Sequence, residues 1–160
     1  NESDIFWQPD GEAWVVARTV RQDENTGSYF ACAQPPYTEW QTTPMKPMVN
    51  APVFLEHNGA LYVAGRSRPA WEGVTTFPYP SPSVGIWRVS RDGLEPVLRM
   101  PATGDCSYPG LICDPEGRVC MTYYSQHAYH MGVLPFPTAG DTGNPNKEVS
   151  DVYFAELALE

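Results

Sequence analysis

Six side chains sit at fixed distances from three glycines, and their types suit recognition of an anionic or polyhydroxylated ligand. Seven residues after Gly11, Gly59 and Gly117 stand Arg18, Arg66 and Tyr124; nine before them stand Glu2, Asn50 and Tyr108. A guanidinium is a rigid fork of donors that grips a carboxylate or sulfate through two parallel hydrogen bonds. A tyrosine stacks on the apolar face of a sugar ring, or attacks an anomeric carbon once its phenol proton is removed. Asp105 and Ser107 flank Tyr108 in a loop led by Gly104. Asp105 is a candidate catalytic proton donor, and Glu2, Asp4, Glu39 and Glu72 are further acids of that kind. Asn50 supplies an amide for sugar hydroxyls.

These residues are useful only if the chain folds their two sets together. The glycines end the dipeptides Asp10-Gly11, Asn58-Gly59 and Glu116-Gly117, which are hairpin-turn signals. Apolar segments precede them at Ile5 to Gln8, Val53 to Glu56 and Leu111 to Asp114. Others follow at residues 13–18 (AWVVAR), 60–66 (ALYVAGR) and 118–124 (RVCMTYY). Third strands are expected at Tyr29-Phe30-Ala31, Val84 to Ser90 and Tyr153-Phe154-Ala155. Fourth strands are expected at Glu39 to Thr43 and Leu94 to Met100. A sheet repeated at this interval is the signature of propeller blades. The fold class expected is therefore all-β: about three consecutive antiparallel blades of a β-propeller, at about 1–46, 47–101 and 102–160, the last lacking its outer strand. Arg68 to Ser83 and Gln126 to Ser150 read as Pro/Gly-rich loops, and no helix is expected. In an antiparallel hairpin the start of the first strand lies beside the end of the second. One rim should thus gather all six residues around the channel.

Composition narrows the function. The chain has 160 residues, enough for one domain with a core. Ten basic against 19 acidic residues, a net charge of −9, argue against nucleic acid and anionic membrane as partners. No apolar run approaches the ~18 residues of a membrane span. No signal peptide is visible and the chain starts without Met, so a piece of something longer is expected. A secreted or periplasmic location is slightly favoured. Cys32, Cys106, Cys113 and Cys120 form no C-x-x-C pair, which speaks against zinc ribbons and dithiol redox. A two-residue turn at Glu116-Gly117 would set Cys113 opposite Cys120, either as a disulfide or as buried thiols. His127 and His130 form an isolated H-x-x-H, with no metal expected there, and no cofactor is predicted. Three blades cannot close a ring. The expected partner is an N-terminal half or a second copy of the chain.

PPYTEW (35–40), the run 50–68 (NAPVFLEHNGALYVAGRSR) and 104–125 (GDCSYPGLICDPEGRVCMTYYS) resemble the C-terminal half of the sialidase-like, six-bladed propeller proteins. The resemblance implies a glycan-binding channel, an arginine triad for a sugar carboxylate and an aspartate acid/base. It also implies a tyrosine nucleophile activated by a glutamate, an exception to the two-carboxylate pattern of glycosidases. Tyr108 is similar in position to that nucleophile and Arg18 to one triad arginine, with Arg66 an approximate match. No glutamate near Tyr124 is identified as the activating partner, and the repeated Asp-box turn is missing. Two functions follow: a glycoside hydrolase acting on an anionic or polyhydroxylated glycan, or a non-catalytic propeller module that binds a glycan or a protein.

Overall fold

The computed structural model describes residues 2–23, 26–69, 73, 82–130 and 149–159. The fold is all-β, with three antiparallel sheets of four, four and three strands. Strands β1 (Ser3–Trp7), β2 (Ala13–Asp23), β3 (Thr26–Ala33) and β4 (Gln41–Met45) form the first sheet in chain order. Strands β5 (Asn50–His57), β6 (Ala60–Ser67), β7 (Ser83–Ser90) and β8 (Gly93–Met100) form the second in the same way. The third contains β9 (Ser107–Cys113), β10 (Val119–Ser125) and β11 (Asp151–Leu157) in the order β11-β10-β9. The three sheets match the three repeats. Most of the two loops expected at 68–83 and 126–150 lies outside the described residues. One helical turn, α1 (His127–His130), was not expected.

All three turn glycines have positive φ, +88°, +73° and +82° at Gly11, Gly59 and Gly117, the left-handed backbone that glycine adopts without strain. The turns are of two kinds. Asn58-Gly59 is a two-residue loop, with His57 directly opposite Ala60 and Asn58 also left-handed. The other two are longer by one residue: Gln8 N–H donates to Glu12 and Asp114 N–H to Arg118, closing loops over residues 9–11 and 115–117. Three-residue loops commonly end on a left-handed glycine. The longer loop corrects the predicted cysteine register. Cys113 pairs with Val119, Cys120 faces Ile112, and all four cysteines are free.

Each pair of neighbouring sheets shares a core. Val16, Phe30, Val49, Val63 and Trp87 fill one cluster between the first and second sheets. Tyr62, Val84, Ile86, Leu111, Met121 and Leu157 fill another between the second and third. The middle sheet is therefore covered on both faces, and β6 and most of β7 are buried at consecutive residues, as expected of a two-sided strand. The outer sheets alternate. β1 and β11 run exposed–half-buried along their length, one face packed and the other open. The first strands β1, β5 and β9 lie side by side. All four prolines within strands, Pro44, Pro52, Pro96 and Pro109, fall on sheet-edge strands, where a missing N–H disturbs no ladder. None of the helices among the described residues is long and apolar enough to cross a membrane.

Candidate functional site

Two of the edge prolines shape the site. In β5 and in β9 the ladder slips by one residue, between Asn50 and Val53 and opposite Tyr123. Each slip is a β-bulge that precedes a proline, at Ala51-Pro52 and Tyr108-Pro109. Ala51 and Tyr108 adopt φ of 48° and 47°, an uncommon conformation for a side-chain-bearing residue that often accompanies function. Asn50 faces Arg66 across the hairpin, while Ser107 faces Tyr124. Tyr108 is thus one position off the predicted equivalence, turned out of the sheet and 62% exposed, with Ser107 buried in its place. The same geometry removes Asn50 from the predicted rim surface. It is 1% exposed, and its Oδ1 has no hydrogen-bond partner.

The carboxylate of Glu2 is the centre of the arrangement. Tyr108 Oη donates to Glu2 Oε1 at 2.9 Å. Arg18 Nη1 and Ala51 N–H both donate to Oε2, at 3.2 and 3.0 Å. Glu2 is fixed from behind by the backbone bond from Arg18 N–H to its carbonyl at 2.9 Å. Phe54 N–H donates to Asp4 at 2.8 Å, a second strap between β1 and β5. The first strands of all three sheets therefore meet at one acid. Burial works against the charge of Glu2, but the bonds from Tyr108, Ala51 and Arg18 prevail and lower its pKa. The Tyr108 phenol moves the other way, because donating to a carboxylate favours the neutral hydroxyl. Arg66 and Arg18 both oppose that rise; the two predicted arginines share one end of the molecule.

A second acid stands beside the first. Tyr124 Oη donates to Asp105 Oδ1 at 3.0 Å, and Arg66 Nη1 lies 3.7 Å from the same oxygen. Burial, then the bond to Asp105, pushes the Tyr124 phenol up to about 12. The rings of Tyr108 and Tyr124 stack at 6.2 Å with 23° between planes. Asp105 is held by its N–H bond to Gln126 Oε1 at 2.7 Å. This loop requires Gly104: its φ is +68°, and a Cβ there would collide with that Gln126 oxygen and with the His130 ring. Behind it Cys106 is buried, which pushes its thiol up to about 12.

An open groove of about 490 Å³ runs along the first strands of the three sheets, lined by Glu2, Ser3, Asp4, Ala51, Val53 and Tyr108 with Pro52 and Pro109. Arg18 adjoins it through Glu2 and Tyr124 through Tyr108, with Asp105 and Arg66 beyond Tyr124. Sequence reasoning placed Glu2 on the rim but missed it as the partner of Tyr108. The pairing of Glu2 with Arg18 puts the acid on the rim but gives no signal of its contact with Tyr108. His127 is on α1, against Tyr153 with ring centres 4.2 Å apart, and burial lowers its pKa. Among the described residues no three His, Cys, Asp or Glu side chains converge to hold a metal ion. No protein-family model, no curated protein and no solved structure matches the chain.

Proposed function

We propose that the chain is the C-terminal half of a glycoside hydrolase of the sialidase-like superfamily, with its three sheets as consecutive blades of a propeller. The observation that carries this reading is the hydrogen bond from Tyr108 to Glu2, with Arg18 on the same carboxylate, at the edge of a groove. Glu2 is ionised at neutral pH and accepts the phenol proton as Tyr108 attacks the anomeric carbon. A neutral phenol avoids the repulsion that an anionic nucleophile meets from an anionic sugar. The proton donor to the leaving group is then Asp105 or an acid from the missing half. Side-by-side packing of β1, β5 and β9, the first strand of each sheet, supports the blade arrangement, since inner strands line a propeller's channel. The ring is completed by an N-terminal half or by a second copy.

One observation favours a second reading. Arg18 pairs with Glu2 and Arg66 with Asp105, so both cations are already neutralised by this chain's own acids. A non-catalytic propeller module binding a neutral polyhydroxylated glycan, with the tyrosines as the stacking platform, fits that pairing. The test is an aryl-sialoside and aryl-glycoside hydrolysis assay with calorimetry on the complete assembly. The hydrolase reading expects Tyr108→Phe to abolish turnover and spare binding. It expects Arg18→Ala to weaken binding by roughly 1.5–3 kcal/mol, the scale of a charged hydrogen bond. Unchanged turnover in Tyr108→Phe would falsify the nucleophile role; binding without turnover in the wild type establishes the module.

A further inference from the structure

The opposite end of the same strands carries a second constellation. Cys113 ends β9 and His57 ends β5, four residues beyond the groove-lining Pro109 and Val53 respectively and so about 13 Å from the groove at ~3.3 Å per residue. Cys113 Sγ lies 3.8 Å from His57 Nδ1, and Asn58 Nδ2 lies 3.0 Å from His57 Nε2. An amide nitrogen donates, so Nε2 accepts and the ring proton stands on Nδ1, towards the sulfur. An imidazole N–H aimed at an exposed sulfur, with an amide orienting the ring, favours the thiolate by hydrogen bonding to it. Cys113 is exposed, whereas Cys32 and Cys106 are buried. The left-handed Asn58 of the two-residue turn fixes the amide where the ring needs it.

We propose that Cys113, His57 and Asn58 form a reactive-thiol site that takes low-molecular-weight disulfides. The Nδ1–H of His57 stabilises the Cys113 thiolate, whose own proton has passed to solvent. The thiolate attacks one sulfur of the disulfide. A Cys113 S–S bond forms, the S–S bond of the reagent breaks, and the departing thiolate takes a proton from solvent. The disulfide is the oxidant, and no other co-reactant is needed.

The test treats the full chain with oxidised glutathione, and separately with iodoacetamide, at neutral pH, and follows each cysteine by peptide mass spectrometry. Cys113 is expected to react at least about tenfold faster than half-buried Cys120, with Cys32 and Cys106 slower still. His57→Ala should remove most of that excess. Asn58→Gly, which keeps the left-handed turn and deletes the amide, should reduce it by a smaller factor. In denaturant the four rates should converge. Equal rates at Cys113 and Cys120 in the native chain would overturn the proposal, as would a Cys113 rate unaffected by His57→Ala. If iodoacetamide shows the excess but oxidised glutathione does not, the disulfide specificity is wrong.

Discussion

The second and third sheets open on hairpins of one plan, each with a bulge before a proline and a left-handed residue in it, yet they differ in what covers them. The second is packed on both faces, by the first sheet and by the third. Among the described residues the third is packed on one face only. Its other face carries Ile112, 62% exposed, Phe154, 70%, and Val152, 76%. The first sheet mirrors it at Ile5 and Trp7, 47% and 53% exposed. Among the described residues the middle layer is thus covered twice and each outer layer once. The bulges differ in the same way. At Ala51 the left-handed residue offers Glu2 only a backbone N–H; at Tyr108 it offers a phenol. One device, repeated, presents a backbone donor in one sheet and an exposed phenol in the next.

The sharpest way to break the comparison is to damage the doubly covered sheet. Ile86 is 0% exposed and lies in the core shared with the third sheet. Ile86→Ala should cost about 2–5 kcal/mol of unfolding free energy, the range for a large-to-small change in a packed interior. Denaturant unfolding followed by circular dichroism measures it. A loss below about 1 kcal/mol would mean that the two sheets do not share this core.

How far such contrasts were legible in the sequence depends on the length scale of the force involved. The turns were legible because a left-handed backbone selects glycine locally, and the strands because apolar runs between those turns have one reading. Loop length was not. Pro115 opens a three-residue loop where Glu116-Gly117 alone reads as a two-residue turn, and the extra residue sets Cys120 opposite Ile112 rather than Cys113. The bulges left a signal that went unused, since Ala51-Pro52 and Tyr108-Pro109 put proline inside segments that otherwise read as strands. Arg18, Arg66, Tyr108 and Tyr124 came from a repeat offset and do gather at one end. The same offset misplaced Asn50, because burial is decided by the neighbouring sheet. The Glu2–Tyr108 contact joins residues 106 apart in sequence. It depends on how three sheets stand against one another, and no local pattern encodes that.

Smaller effects sharpen the contrast at the site. Gly104→Ala places a Cβ against Gln126 and His130 at a positive φ, and about 1–3 kcal/mol is expected from such strain. It should release Asp105 from Gln126 while leaving Glu2 and Tyr108 in place. Thermal unfolding gives the stability change. Near-ultraviolet circular dichroism reports whether the Tyr108–Tyr124 stack survives. A variant as stable as the wild type would show that the loop has another conformation open to it.

The Glu2 network should appear in the acid limb of stability. The folded state lowers the pKa of Glu2 below its ordinary value of 4.5. Its contribution is therefore fully present above that ordinary value. It is lost as pH falls through the lowered, folded-state one. Glu2→Gln should lower the unfolding temperature most at neutral pH, and the difference from the wild type should shrink as pH falls between about pH 5 and 3. The effect should be modest, because the side chain keeps 23% of its exposure. Parallel acid limbs in both proteins would mean that other carboxylates carry the dependence.

The smallest expected effect tests the open face itself. At 70% exposure Phe154 makes few contacts within the chain, so Phe154→Ser should change the stability of the isolated chain by no more than about 0.5 kcal/mol, as for most surface substitutions. Its neighbours on that face, Val152, Ile112 and the ring of Tyr124, are exposed or half-buried as well. Exposed Thr122 and Glu156 share this face, so its apolar side chains form a mixed patch, of a kind that can serve association. In the assembly proposed above the same substitution should therefore cost more than in the isolated chain, read as a shift in the concentration at which light scattering detects the larger species. The comparison between the two states is the measurement, since neither alone separates a surface residue from a buried one. Equal, negligible effects in both would mean that nothing docks on this face. A loss above about 1 kcal/mol in the isolated chain would mean that the chain covers the face itself.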